Sequence, residues 1–586
     1  MDNYPSWAAQ VIWYEIFPER FCRKNYENPI SSLDILGTTP WNFSKDSAWE
    51  IHPWTSDWYK RQPYEKENSK SLKINILRRR YCGDLKGIIS KLDYLSELGV
   101  NALYFTPMQY SPSLHRYDGT NFLHIDPFLG DNALEDLKII SQEDFLDFDN
   151  AAWTSADLLA LEMIKKAHSL GMKVVFDGVF NHIGYNSKPF QDVMKNAQKS
   201  EFADWFLIDW EKSTKKNLVY QKFWGFVKEM PKLNYGCKKV KEYVFSTLKR
   251  WLKPIVSGTE FEGIDGWRID HAIGVPLTFW KSANAFVKTL KPDALFLGEL
   301  IEPLEVIKPY LDEKCFDSVM NYGFYFSLLQ FFVAQNNSIS ALQFDKLLRS
   351  QLKLLNLSSN FLAMNLLGTH DTERFASYIV NRDLKKYSSF AEFFENSHIE
   401  DKKYNSRCPN DFERKIQKMA VVFEFSMVGS PMIYYGDELG MWGANDPDCR
   451  KPMIWPELSF EDEQIIVGGR RTKKYDKIEV NQNIFDFYKR IINFRKSNIE
   501  VLSWGKFSTL YADKEKRVYI YERTLKKERI IFGFNRELEP CSIEISLGVK
   551  TVLKNVLNGT KLDTDNFGHV RLTLEPVSFT ILSQCE

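Results

Sequence analysis

Short apolar runs alternate with amphipathic stretches along most of the chain. VIWYEIF (11–17), VNALYFT (100–106), MKVVFDGVF (172–180), IDGWRI (264–269), ALFLGEL (294–300), FDSVMNY (316–322), FLAMNLL (361–367) and PMIYYGD (431–437) read as buried strands. Between most of them apolar positions recur at helical spacing, as in DLKGIISKLDYLSEL (84–98), SADLLALEMIKKAHSL (155–170) and DFERKIQKMAVVFEFSM (411–427). Eight strand–helix alternations predict the α/β class and a (β/α)8 TIM barrel. On pattern alone, an open doubly wound sheet is the alternative.

Two connections are too long for plain barrel loops. One is a Trp-rich loop at about 24–83, after the first strand, and the other, 183–236, follows the third strand and reads as an inserted domain. From about 504 the period changes to short alternating strands, RVYIYERT, RIIFGFNR, CSIEISL and VRLTLE, which predict a C-terminal antiparallel β domain at 504–586. The expected barrel therefore spans 1–182 and 237–503.

The length of 586 residues fits two or three domains. With 77 basic and 77 acidic residues the formal net charge is zero, which argues against nucleic acid as a partner. No apolar stretch is long enough to span a membrane, and the first residues lack the pattern of a signal peptide. The eight cysteines form no CxxC pair and no metal-ligand cluster, so reduced thiols and a cytoplasmic protein are expected. No cofactor and no metal are expected. Aromatic residues make up 15% of the chain, including 16 Trp, a composition that suits sugar-binding grooves but also large cores.

Ionisable residues gather where the predicted strands end. Asp177, Asn181 and His182 follow VVF; Arg268 and Asp270 close the fourth strand; Glu299 closes the fifth; His370 and Asp371 follow the seventh. In a barrel the carboxyl ends of all strands meet on one face, where active sites are built. A single Asp at a strand end is more often a helix cap, but so many such groups in one chain argue against that explanation. Strand residues two apart point the same way, so Arg268 can lie beside Asp270 and keep it ionised. Glu299 is expected among carboxylates and apolar walls that hold it protonated, as a general acid must be. Two carboxyl groups tuned apart are what glycosidic cleavage needs.

DGVFNH (177–182), GWRID (266–270), GEL (298–300) and GTHDTER (368–374) resemble the four main signature segments of the α-amylase family, glycoside hydrolase family 13. MPKLN (230–234) resembles the marker of its neopullulanase and cyclomaltodextrinase group, and VNALYFTP, SPSLHRYDGTNFLHIDP and GSPMIYYGDELGMWGANDPDCRKPMIW also match. The resemblance covers roughly residues 10 to 586. It implies a retaining enzyme in which Asp270 is the nucleophile, Glu299 the general acid and then base, and Asp371 the holder of the 2- and 3-hydroxyls of the sugar at the cleavage point. It further implies that His182 and His370 bind hydroxyls of that ring, that Tyr117 stacks on it, that Arg268 orients Asp270 with Asp177 behind it, and that Arg374 is a supporting residue. The implied substrates are α-glucans such as maltooligosaccharides, cyclodextrins or starch, cleaved at α-1,4 bonds, with α-1,6 bonds left open.

The chain departs from the family after Asp270. Secreted α-amylases place Lys and His where Ile273 and Gly274 stand, and the neopullulanase group has Asn and Glu there. The backbone of that His helps to hold calcium in the family, and Asn181 matches another usual ligand. With the first strand beginning near residue 11, the group's N-terminal dimer-building domain is expected to be absent, so its dimerisation is not carried over and the oligomeric state stays open. A 4-α-glucanotransferase using the same glycosyl-enzyme is the alternative within this chemistry; a non-catalytic barrel subunit of a transporter is a remote one. Within the Trp-rich loop, Trp41, Trp49, Trp54 and Trp58 are expected to anchor the loop to the barrel; the alternative is that at least one of them is exposed at the groove and stacks on a glucose unit.

Overall fold

The computed structural model describes residues 4–24, 50–66, 72–214, 217–336, 338–384 and 396–585. The chain divides into two compact units, one built mainly from Tyr14–Leu300 and Pro309–Val319, the other from Ser6–Trp13, Ile301–Lys308 and Met320–Glu586.

Six strands of the first unit build its parallel sheet, β1 (Trp13–Ile16), β2 (Ala102–Phe105), β3 (Lys173–Gly178), β4 (Gly266–Ile269), β5 (Leu295–Gly298) and β6 (Ser318–Val319), all wholly or almost wholly buried. They lie side by side in the order β6–β5–β4–β3–β2–β1, and the pairs that β2 to β6 make in that order are parallel. Burial on both faces explains why these segments read as continuous apolar runs rather than alternating ones. The crossover helices start where local chemistry places them. Asp84 caps Leu85–Leu98 by accepting from the Gly87 amide, and Gly99, at φ +100°, ends it. Thr154 and Asp157 form a reciprocal capping box for Ser155–Ser169. Two further parallel strands, β7 (Met364–Leu366) and β8 (Ser430–Tyr434), belong to the second unit, with helix Asp411–Ser426 capped by Asn410 and Glu413. All eight predicted strands are present, and the fold class is the (β/α)8 TIM barrel.

The C-terminal segment is antiparallel, as its alternation predicts. Six strands between Lys506 and Gln584 form one sheet, and Cys541–Ser546 pairs with His569–Leu574 in another, around a core that includes Val518, Ile520, Ile531, Leu553 and Leu582. A hairpin of Glu463–Val467 and Arg470–Asp476, turned by Gly468 and Gly469, both at positive φ, was not anticipated.

The 183–236 connection holds helix Lys188–Asn196, capped by Ser187, and a short hairpin of Lys222–Phe223 and Val227–Pro231. Within the Trp-rich loop, Trp41 and Trp49 lie outside the described residues. Trp54 and Trp58 follow the anchoring reading rather than the alternative of an exposed sugar platform: they are 7% and 3% exposed. Trp58 stacks on Tyr81 at 6.2 Å, Trp54 meets the same ring edge-on, and the Arg20 guanidinium covers Tyr81 at 4.3 Å. These two rings anchor the loop.

Candidate active site

The register of the first unit assembles the site. Arg268 is opposite Asp177 across β3 and β4, and Ile269 is opposite Gly298 across β4 and β5. Parallel partners face the same way, so Asp177, Arg268 and, two residues on, Asp270 share one side, and Glu299 follows at the same level of β5. Asp177 lies inside β3 rather than after it.

Arg268 is fully buried and holds three carboxylates. Its Nη1 is 2.9 Å from each oxygen of Asp177 and 3.1 Å from Oδ1 of Asp270, while Nη2 donates to Oε1 of Glu299. Burial alone would lower the guanidinium pKa; the charges of Asp177 and Glu299 outweigh it and raise it well above its ordinary value. Arg268 is thus a permanent cation, and Asp270 and Glu299, 6% and 7% exposed, are the ends of this network that still reach solvent. The surroundings of Glu299 differ from the sequence expectation. Two donors, Arg268 and the His271 amide at 2.8 Å from Oε2, meet it instead of carboxylates and apolar walls.

Asp177 is fixed from the other side by two phenols. Tyr104 donates to its Oδ2 at 2.8 Å and Tyr117 at 3.0 Å. Tyr117, expected to stack on sugar, is part-buried and itself stacked with His115 at 6.0 Å. His182 donates from Nε2 to the Tyr117 carbonyl at 2.9 Å, and burial lowers its pKa to about 4, so it is a neutral imidazole at working pH. Tyr104 was missed by the sequence reading: its hydroxyl is hidden in the apolar run VNALYFT.

The second unit places His370, Asp371 and Arg374 after β7. His370 Nε2 lies 3.1 Å from Asp371 Oδ2. Arg450, not singled out from the sequence, binds this turn twice: Nε donates to the His370 carbonyl at 2.7 Å and Nη2 to Asp371 Oδ1 at 3.0 Å. Arg374 is fully buried and reaches Asp437 at 2.6 Å and the carbonyls of Tyr435 and Cys449. It therefore braces the segment that carries Arg450.

A further group missed by the sequence reading is the aromatic tip of the 222–231 hairpin. Phe223 packs on His182 and, edge-on, on His271, each at 4.8 Å, and stacks with Trp224 at 4.5 Å. Trp224 and Phe226 are 46% and 68% exposed. Among the described residues, no group of three His, Cys, Asp or Glu side chains is placed to hold a metal ion. Gly274, where the family's calcium-binding His stands, packs against Asn181: a Cβ there would come 2.2 Å from Asn181 Oδ1.

A carboxylate fixed by a cation, a second carboxyl one strand away and the neutral imidazole of His182 suit cleavage of a glycosidic bond. The chain matches the family model described as Alpha amylase, catalytic domain, over residues 15–144, 142–395 and 383–505, and that described as Maltogenic Amylase, C-terminal domain, over 507–581. It is 34% identical to a cyclomaltodextrinase of Thermoanaerobacter pseudethanolicus over 532 residues, 91% of this chain and 71% of that protein. It is 32% identical to neopullulanase 2 of Thermoactinomyces vulgaris over 583 residues, 99% of this chain and 78% of that protein. An intracellular maltogenic amylase of Bacillus subtilis is 32% identical over 532 residues, 91% of this chain and 69% of that protein. A solved cyclomaltodextrinase structure superposes with a TM-score of 0.71 at 28% identity, covering 99% of this chain and 79% of its own.

Proposed function

The chain belongs to the α-amylase family of glycoside hydrolases, and from that membership we propose the reaction its site performs and the residues that perform it. The protein is an α-amylase-type glycosidase, a retaining α-glucan hydrolase. It acts on maltooligosaccharides, cyclodextrins or starch at α-1,4 bonds, with α-1,6 bonds as a second linkage. The observation that carries this reading is the single buried guanidinium of Arg268, bonded to Asp177, Asp270 and Glu299 from three adjacent strands.

In the first step Asp270 attacks the anomeric carbon while Glu299 gives a proton to the leaving oxygen, and a β-glycosyl-enzyme forms. In the second, Glu299 takes a proton from water, which displaces Asp270 and restores the α configuration. Arg268 keeps Asp270 anionic and aimed, with Asp177, Tyr104 and Tyr117 fixing Arg268 in turn. Asp371, His370 and His182 hold hydroxyls of the sugar that is attacked, Tyr117 flanks its ring, and Arg374 supports the segment beyond β7. The barrel is assigned to 1–182 and 237–503, the insert to 183–236 and the C-terminal domain to 504–586. A cytoplasmic location is consistent with eight free cysteines. Among the described residues, no helix is long and apolar enough to cross a membrane.

Proton NMR of fresh product from maltoheptaose tests the mechanism: the α anomer should appear first. Asp270→Asn should abolish turnover, and Glu299→Gln should spare an aryl glycoside whose leaving group needs no proton. A β anomer appearing first, or Asp270→Asn with wild-type turnover, overturns the reading.

A further inference from the structure

We propose that the basic hairpin after β8 binds phosphate monoesters carried by the glucan, with Arg470, Lys473 and Lys474 as the phosphate-binding side chains. The inference rests on the reading of this protein as an α-glucan hydrolase and names a class of substrate for it, glucans esterified with phosphate.

The segment GGRRTKKYDK (468–477) puts five cations and one carboxylate into ten residues of a chain whose formal net charge is zero. The acidic groups nearby are engaged or lie at the far end. Asp476 accepts from the Cys408 amide at 2.7 Å, Glu463 is buried against Lys451 at 2.5 Å, and Glu479 pairs with Lys477. Glu461 and Asp462 precede Glu463 at the open end of the hairpin, whereas Arg470 stands at the turn, opposite Val467. Arg470, Lys473 and Lys474 are exposed and, among the described residues, make no ion pair. Lys402 and Lys403, also exposed, extend the cationic surface past the turn: a Cβ on Gly468 would lie 3.4 Å from the Lys403 amide nitrogen.

The hairpin is pinned in place. The Ile466 amide donates to the Ser406 hydroxyl at 2.8 Å and the Ser406 amide to the Ile466 carbonyl at 2.9 Å, while the amides of Gly468 and Gly469 donate to the carbonyls of Tyr404 and Ile399. Binding an anion here therefore does not first have to order a loop. Lys and Arg on an edge strand can serve only to keep other chains from pairing with it. Position argues for more. The hairpin belongs to the loop after β8, and such loops emerge at the catalytic face of a barrel. Glu463 at its base is tied to Lys451, the neighbour of Arg450, which holds Asp371. A neutral glucan gives these cations nothing to neutralise, whereas a phosphate monoester brings a charge of about −1.5 to −2 at pH 7. Tyr475 is 54% exposed and two residues from Lys473, hence on the same face, where its ring can receive a glucose unit beside the phosphate. That pairing of cations with an exposed ring favours an anionic sugar over a lipid surface or an acidic peptide.

The test compares amylopectin carrying phosphate monoesters with the same amylopectin after phosphatase treatment, by affinity electrophoresis in native gels. The wild-type protein should bind the phosphorylated polymer more tightly, and high salt should remove the difference. In the triple variant Arg470→Gln, Lys473→Gln, Lys474→Gln, affinity for the phosphorylated polymer should fall about tenfold, the size of three exposed charge pairs. Affinity for the dephosphorylated polymer, kcat/KM on maltoheptaose and the melting temperature should stay at their wild-type values. Equal binding of the two polymers by the wild-type protein would overturn the proposal, as would a triple variant that keeps the preference. An equal loss on both polymers would make the hairpin mere scaffolding and also overturn it. So would wild-type protein that ignores the phosphate but is retained, through these three cations, by phosphatidylserine vesicles or polyglutamate. Failure of the underlying reading is separate: it would show as absence of maltoheptaose turnover by the wild-type protein, or as activity surviving Asp270→Asn.

Discussion

Nη1 of Arg268 lies 3.1 Å from Oδ1 of Asp270, while the same nitrogen is 2.9 Å from both oxygens of Asp177. One buried cation thus ties the attacking carboxylate to a rigid strand neighbour. Arg268→Gln would leave three buried carboxylates without it, and breaking such a pair costs about 3–5 kcal/mol. Its melting temperature should drop clearly. Arg268→Lys keeps the charge but cannot span Asp177, Asp270 and Glu299 at once, so it should fold and lose most of its turnover. Arg268→Lys with wild-type kcat would show that the fork geometry is irrelevant.

Arg450 is predicted to position Asp371. A hydrogen bond to a charged group is worth about 1.5–3 kcal/mol, so Arg450→Met should lower kcat/KM by about ten- to a hundredfold. In Asp371→Asn the same substitution should add much less, because the carboxylate it orients is already gone. Losses that multiply independently in the double variant, measured on maltotriose, would place Arg450 elsewhere in the reaction.

His124 provides a pH-dependent stability term. Both ring nitrogens meet carboxylates, Asp157 at 2.8 Å and Glu143 at 2.9 Å. Burial lowers its pKa, but the Asp157 charge and the two hydrogen bonds outweigh it and raise it to about 9. A raised folded pKa means the stabilisation is fully present below the unfolded value of about 6.5 and is lost as pH climbs through about 9. His124→Asn should therefore be less stable than wild type by roughly 2–3 kcal/mol at pH 6, and the gap should narrow by pH 10. A gap independent of pH in thermal melts would mean that His124 is neutral in the fold.

Trp224 and Trp58 are predicted to behave oppositely. Trp224, at the exposed hairpin tip, should contribute about 0.5–1.5 kcal/mol to binding a sugar ring. Trp224→Ala should raise KM for maltoheptaose more than for maltotriose and leave the melting temperature unchanged. Trp58→Ala removes a buried anchor, a change that costs about 3–5 kcal/mol, and should lower the melting temperature. Unaltered chain-length preference in Trp224→Ala would remove the hairpin from the substrate path.

Much of this protein is written locally. The eight barrel strands could be read because burial on both faces makes each a continuous apolar run, and the helices between them because caps such as Asp84 and Thr154 act within four residues of themselves. Asp270 and Arg268 could be matched because alternation along one strand sets which side they face. The hairpin of 463–476 escaped because RRTKKYD has no apolar alternation, although Gly468–Gly469 marked its turn. What the sequence could not decide were pairings set by distant segments. Arg450 reaches Asp371 across 79 residues, and Phe223 meets His271 across 48, by the difference of their numbers. The indoles of Trp54 and Trp58 look no different along the chain from the indole of Trp224. Only packing against Tyr81 and Arg20 buries the first two, while the turn of the 222–231 hairpin leaves the third in solvent. Periodicity fixes which face a residue occupies, but what meets that face depends on how the long connections fold back, and their irregular sequences carry no period from which this can be read.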